Sequence, residues 1–245
     1  MRALCLCVAA LALALLPWVA AAANLTVEQV RAALATVRPG HPADFAGQSL
    51  AGLDLSGADL SGADLQRVDL HQTKLLGAKL AGANLSGARL DFTWVMRADF
   101  SHANLSQATL LALVASTGLD SRSDEAANFA HANFSGAHMI SRFAYDDMRG
   151  ANFSGAQMAA DMRNQSMGVI HTDFQSAVLT GANFSGAALG HASFRFAKLA
   201  GANFSGASLL YTDFTGADLR GANFSGADTA NAEFSGADLT GARGR

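Results

Sequence analysis

The chain has 245 residues, half of them apolar and 15% charged, which supplies a sizeable core and excludes a disordered chain. Seventeen basic against twenty acidic residues leave a formal charge of −3, so no attraction to nucleic acid phosphates is expected. Both cysteines, Cys5 and Cys7, lie in the first ten residues. A chain cleaved after them has no disulfide, thiol nucleophile or thiolate metal site.

The opening MRALCLCVAALALALLPWVAAAA carries one cation, Arg2, then an apolar run, then small residues as far as Ala23. That is the pattern of a secretory signal peptide over residues 1–23, with cleavage expected after Ala23. A retained membrane anchor is the alternative, against which Pro17 and the alanine-rich end argue. The cleaved chain is expected in the periplasm or secreted, with no membrane segment left. Residues 24–42 come next. Thr26 with Gln29 forms a capping box, Val27, Val30, Leu34 and Val37 recur at helical spacing, and Pro39-Gly40 ends the run. This predicts a short helix, about 27 to 37, that covers whatever follows.

From Phe45 a large apolar residue recurs at every fifth place, through Leu50, Leu55 and Leu60 as far as Leu110. An α-helix would set such residues about 140° apart, and a flat strand would send them to alternate faces. A chain that turns a corner every five residues removes the conflict. The large centre and the small residue two places before it point inward, the other three point outward, and glycine takes the corner. Four corners make a coil of twenty residues, and coils stack at about 4.8 Å.

The rhythm lapses over the polar stretch 116–127, read as a loop or bulged coil. It resumes at Phe129, Phe134 and Met139, shifts by one to Phe143, Met148, Phe153 and Met158, and blurs again over 158–172. From Phe174 to Leu239 it is strict, with phenylalanine and leucine alternating. Phenylalanines then belong to two opposite faces of the coil and leucines to the other two. Residues 43–245 therefore read as one solenoid.

LDLSGADL at 53–60, GANLSGARL at 82–90 and GANFSGA at 181, 201 and 221 resemble the A(D/N)LXX pattern of pentapeptide-repeat proteins. The resemblance implies an all-β fold, a right-handed quadrilateral β-helix over roughly residues 43 to 243, here with an N-terminal capping helix. Some members of that family act as acidic DNA mimics at a type II topoisomerase. The signal peptide and the cations Lys74, Lys79, Arg89, Arg195, Lys198 and Arg220 count against that role here. The family also forms tail-to-tail dimers, and GADLTGARGR offers no helix to cover the last coil. A homodimer through the C-terminal coil is thus a further expectation, with Arg243 and Arg245 arguing for a monomer.

Adding twenty stacks Asp54 under Lys74, Asp59 under Lys79 and then Asp99, Asp69 under Arg89, and Lys74 under Trp94. Asn183, Asn203 and Asn223 form an amide ladder by the same rule. It also puts His171, His191 and Tyr211 on one outer edge with Asn231 above, and Phe196 one corner away. These four, His171, His191, Phe196 and Tyr211, are a candidate contact patch. The irregular FAYDDMRG, 143–150, offers a second candidate surface in Tyr145, Asp146, Asp147 and Arg149. No third ligand is spaced to complete a metal site with His171 and His191, no catalytic constellation stands out, and no cofactor is expected. The expected function is a non-enzymatic exported scaffold that binds an unidentified protein; the alternative is the topoisomerase mimic.

Overall fold

In a regular unit such as Ala83 to Gly87, the backbone explains the period. Ala83 and Leu85 are fully buried. Leu85 N–H donates to Asn104 O at 2.7 Å and Gly87 N–H to Ser106 O at 2.8 Å in the coil above, while Asn84 N–H donates to Ala63 O at 2.9 Å in the coil below. Ala88 N–H closes the corner on Leu85 O at 2.9 Å. Almost every donor is thereby paired without a long strand. Gly87 makes the corner at φ +66°, where a side chain is disfavoured.

The structure, a computed structural model, describes residues 23–38, 40–117, 120–160 and 171–244. The expected signal peptide up to residue 22, and residues 161–170 of the second irregular stretch, lie outside the described residues. Helix α1, Val27–Ala35, begins at the capping box: Gln29 N–H donates to the Thr26 hydroxyl at 3.2 Å, and Thr26 N–H to Gln29 Oε1 at 2.7 Å. Val30 enters the core and Leu34 packs on it, but the helix caps at Thr36, short of the expected end, and Val37 is exposed. Asn24 finishes the cover. It accepts from Ser49 N–H on its side chain at 2.8 Å and donates its own N–H to Ser49 O at 3.0 Å, pairing groups on the edge of the first coil. No helix among the described residues is long and apolar enough to cross a membrane.

The coils stack in parallel as four walls, each defined by its outward rungs. The first wall runs Asp64, Asn84, Asn104, Asn133, Asn152, Asn183, Asn203, Asn223; the second includes Asp69, Arg89, Thr109 and His138. The third runs Lys74, Trp94, Val114, then Arg142, Asp173, Ser193, Asp213, Glu233; the fourth includes Asp99, Asn128, Asp147 and Val178. Inside, Phe184, Phe204 and Phe224 stack beneath the first wall (4° between Phe184 and Phe204), while Phe194 and Phe214 stack beneath the third. The two columns meet edge to face, as at Phe194–Phe204, 86° and 5.8 Å. From Phe174 onward phenylalanines thus occupy opposite walls, as the alternation requires, whereas Phe100 and Phe129 stack beneath the fourth.

The twenty-residue register breaks three times. Asp99 pairs with Asn128, nine residues late; Asn128 pairs with Asp147, one early; Arg142 pairs with Asp173, eleven late. The nine extra residues fall between Val114 on the third wall and Asn128 on the fourth, where Ser123–Glu125 makes a 3-10 turn and Glu125 bonds Ser116 and Thr117. The missing residue falls between His138 and Arg142, where β1, Thr109–Leu111, pairs with β2, His138–Ile140. The eleven extra fall between Gln157 on the second wall and Asp173 on the third. Every break is therefore at an edge of the third wall. The first wall passes through without interruption.

Candidate functional site, the third wall

The corners show where this sequence departs from its own rule. Fourteen corner residues adopt positive φ without being glycine, and ten of them border the third wall, among them Phe92, Tyr145, His191, Phe196 and Tyr211. A side chain in that conformation costs about 1 kcal/mol relative to glycine, so these side chains are carried against local backbone preference. The exposed large apolar residues collect in the same place. Phe92 (48% exposed), Trp94 (36%), Phe196 (55%), Leu210 (36%) and Tyr211 (54%) all lie on this wall or its edges; Val37 alone lies elsewhere among the described residues.

These groups form two patches. In the lower one, nearer the N-terminus, the Phe92 ring meets His71 edge-on at 5.5 Å, and Lys74 Nζ lies 5.9 Å from the Trp94 ring centre. In the upper one, the His191 and Tyr211 rings stack at 4.9 Å on one edge. On the other edge the Phe196 ring lies over Gly216, 2.5 Å from where a side chain there would begin. Arg195 joins the Phe196 edge to the rung between the two: its Nη1 donates to Asp213 Oδ2 at 2.9 Å, and its guanidinium is 5.5 Å from the Phe196 ring centre.

The inner side of this wall is also distinct. Thr73, Thr93, Thr172 and Thr212 take the small inward position, fully buried. Their hydroxyls donate to carbonyls such as Leu50 O and Leu70 O in the coil below. Ser141 extends the device where a residue is missing, donating to Leu110 O at 2.7 Å and accepting from Leu113 N–H at 2.9 Å. These bonds pin the edge that carries the rings.

The structure brings His191, Phe196 and Tyr211 together on this wall. His171 is not in their stack, which corrects the expected ladder. Counting down from His191 ignores the eleven-residue insertion, and it is Ala160 whose N–H donates to Gly190 O beneath the corner. No ring contact joins His171 to His191 among the described residues. The second candidate surface is corrected as well. Asp146 is 2% exposed and points inward, because it stands two places before the centre Met148. Its Oδ1 accepts from Ala127 N–H at 2.8 Å, its Oδ2 has no partner, and burial pushes its pKa up to about 8. Tyr145 borders the third wall at φ 68°, whereas Asp147 and Arg149 form an ion pair at 2.7 Å on the fourth wall. Trp94 lies over Lys74 as the count of twenty places it, but neither it nor Phe92 and Leu210 is among the expected contact residues, although each is a large apolar residue off the fivefold centre. No group of three or more histidine, cysteine or acidic side chains that could hold a metal occurs among the described residues.

A profile described as pentapeptide repeats matches in eight copies, over 43–75, 63–110, 169–195, 189–226 and 217–243, more than half of the chain. Among solved structures, the chain is similar to HetL, a pentapeptide repeat protein involved in heterocyst differentiation regulation from the cyanobacterium Nostoc sp. strain PCC 7120. The identity is 27%, covering 89% of this chain and 97% of that one, with a TM-score of 0.41. It is also similar to QnrB1, a plasmid-mediated fluoroquinolone resistance protein, at 18% identity over 82% of this chain and 88% of that one, TM-score 0.39. A pentapeptide repeat protein of the Arabidopsis thaliana thylakoid lumen matches at 28% identity over 46% of this chain and 66% of that one, TM-score 0.28. No curated protein matches. The repeats and the stacked square coils make the chain a member of the pentapeptide repeat family, folded as a right-handed quadrilateral β-helix.

Proposed function

We propose that this chain is an exported, non-enzymatic scaffold that binds another protein through its third wall. The observation that carries the reading is the coincidence on one wall of four: exposed aromatic side chains, side chains at corners that favour glycine, and every break in register. Irregular segments on a rigid frame are where binding surfaces are commonly built. The first wall supplies the contrast. Seven of its rungs, Asn84 to Asn223, are asparagines that bond one another, so that run is uncharged, regular and internally satisfied, with Asp44 and Asp64 below it and Arg243 above. A DNA mimic needs an acidic face, and this amide wall does not provide one.

The export half of the reading rests on the N-terminal sequence and is tested by cell fractionation, with the processed chain expected outside the cytoplasm. The binding half is tested by pull-down from the exported fraction, comparing wild type with a Phe196→Ala, Tyr211→Ala double variant. The bound set is expected to shrink for the variant. An unchanged set counts against the third wall.

A further inference from the structure

We propose that the upper third wall receives an arginine or lysine of the partner, presented on a slender extended segment, in the slot bounded by Tyr211, Asp213 and Glu233. This rests on the reading of the third wall as a contact surface. The wall displays its own version of the contact twice. Lys74 lies over Trp94 while pairing with Asp54 at 4.0 Å, and Arg195 lies over Phe196 while bonding Asp213. Each places a cation between an exposed ring and a carboxylate.

Among the described residues, Tyr211 has no cation to complete such a set. His191 stacks on it from the coil below, and the corner above it is Asn231. Asp213 and Glu233 occupy consecutive rungs beside it, and Asp213 is engaged from the opposite edge by Arg195. Glu233 has no ion pair among the described residues; its carboxylate accepts from Ser235 N–H and hydroxyl. Those bonds hold its pKa below the usual range, while the like charge of Asp213 pushes it the other way. A cation entering here meets two carboxylates and a ring. Among the described residues from 171 to 236 the wall carries Asp173, Asp213 and Glu233 against Arg195, with His171, His191 and Tyr211 the titratable groups toward its other edge. The local charge therefore selects a basic occupant over an acidic one.

The dimensions select a narrow one. With Asp54 beneath Lys74 the wall has nine rungs among the described residues; at about 4.8 Å apart and about 10 Å wide they give roughly half of the ~800 Å² that each partner contributes to a standard stable interface. A second copy laid flat on this wall is thus too weakly held. An extended segment uses the strip fully.

The test is fluorescence anisotropy of a labelled Gly-Arg-Gly-Arg-Gly-Arg-Gly peptide with the purified protein at low salt, beside its glutamate counterpart and a neutral β-glucan oligosaccharide. The arginine peptide is expected to bind, and Tyr211→Ala and Glu233→Gln each to weaken it about threefold to fivefold. Asp228→Asn on the second wall and Asp238→Asn on the fourth remove the same charge from the same coil and are expected to change binding less than about twofold. Equal losses from all the charge variants, preference for the glutamate peptide or the glycan, or no binding at all would overturn the proposal. A pull-down that depends on Phe196 and Tyr211 but not on Glu233 keeps the wall and discards the basic occupant.

Discussion

At position 146 an aspartate takes a place that alanine holds throughout the rest of the fourth wall, from Ala98 and Ala127 to Ala177 and Ala197. The cause is one coil below. In a regular corner the N–H of that alanine bonds the centre three residues earlier, as Ala98 does with Val95. The insertion takes that acceptor from Ala127, and the Asp146 carboxyl replaces it. Asp146→Ala restores the repeat yet strands the Ala127 N–H, at an expected cost of about 1–3 kcal/mol in urea unfolding. Asp146→Asn keeps the acceptor and removes the charge. Because the folded pKa of Asp146 is raised to about 8 from a usual 3.8, its contribution to stability is complete below pH ~4 and disappears as pH rises through about 8. Melts at pH 5, 7 and 9 should show that decline in wild type and a flatter profile in Asp146→Asn; identical slopes would refute it. Gly216 makes a second local test. At φ +67° beneath the Phe196 ring, Gly216→Ala should cost more than the ~1 kcal/mol of conformation alone, and less of it in a Phe196→Ala background.

At the scale of the walls, side-chain ladders and ring columns hold the coils in register. Each ladder amide donates to the one below it: Asn152 to Asn133 at 3.0 Å, Asn183 to Asn152 at 3.0 Å, Asn203 to Asn183 at 3.0 Å. Asn183→Ala removes the contact on both sides and should lower stability by about 1–2 kcal/mol, whereas Phe204→Ala, which empties the middle of a ring column, should cost about 3–5. The ion pairs matter less: Lys74–Asp54 and Lys79–Asp59 are long, at 4.0 Å, and exposed. Much of this was legible by counting in fives and twenties, because burial imposes the period and stacking imposes the pairing. The ladder is legible at Asn183, Asn203 and Asn223, and the same count of twenty would have joined Asn84 to Asn104; only Asn133 and Asn152 are hidden from fixed arithmetic, by the shifts of nine, one and eleven residues. The same shift misplaced His171. Asp146 could have been read correctly, as its spacing from Met148 is that of every other inward residue.

Over the whole molecule, one wall is amide-lined and continuous while its opposite is aromatic, and both edges of the aromatic wall absorb the insertions and the deletion. A rod with a constant frame and one varied wall is suited to holding a partner along its length. Phe92, Trp94 and Leu210 belong to that wall together with His191, Phe196 and Tyr211, although the sequence pattern alone pointed to the latter three. The walls are separated by corners that recur every five residues, so the contrast between them can be measured directly. A photo-crosslinking phenylalanine analogue is placed at Tyr211 or Phe92 on the third wall, or at Ser106 or Ser205 beside the amide ladder, and the protein is irradiated in the cell fraction where it resides. Partner adducts are expected from positions 211 and 92 and none from 106 and 205. Adducts of equal yield from both walls, or from the amide side alone, would contradict binding through the third wall.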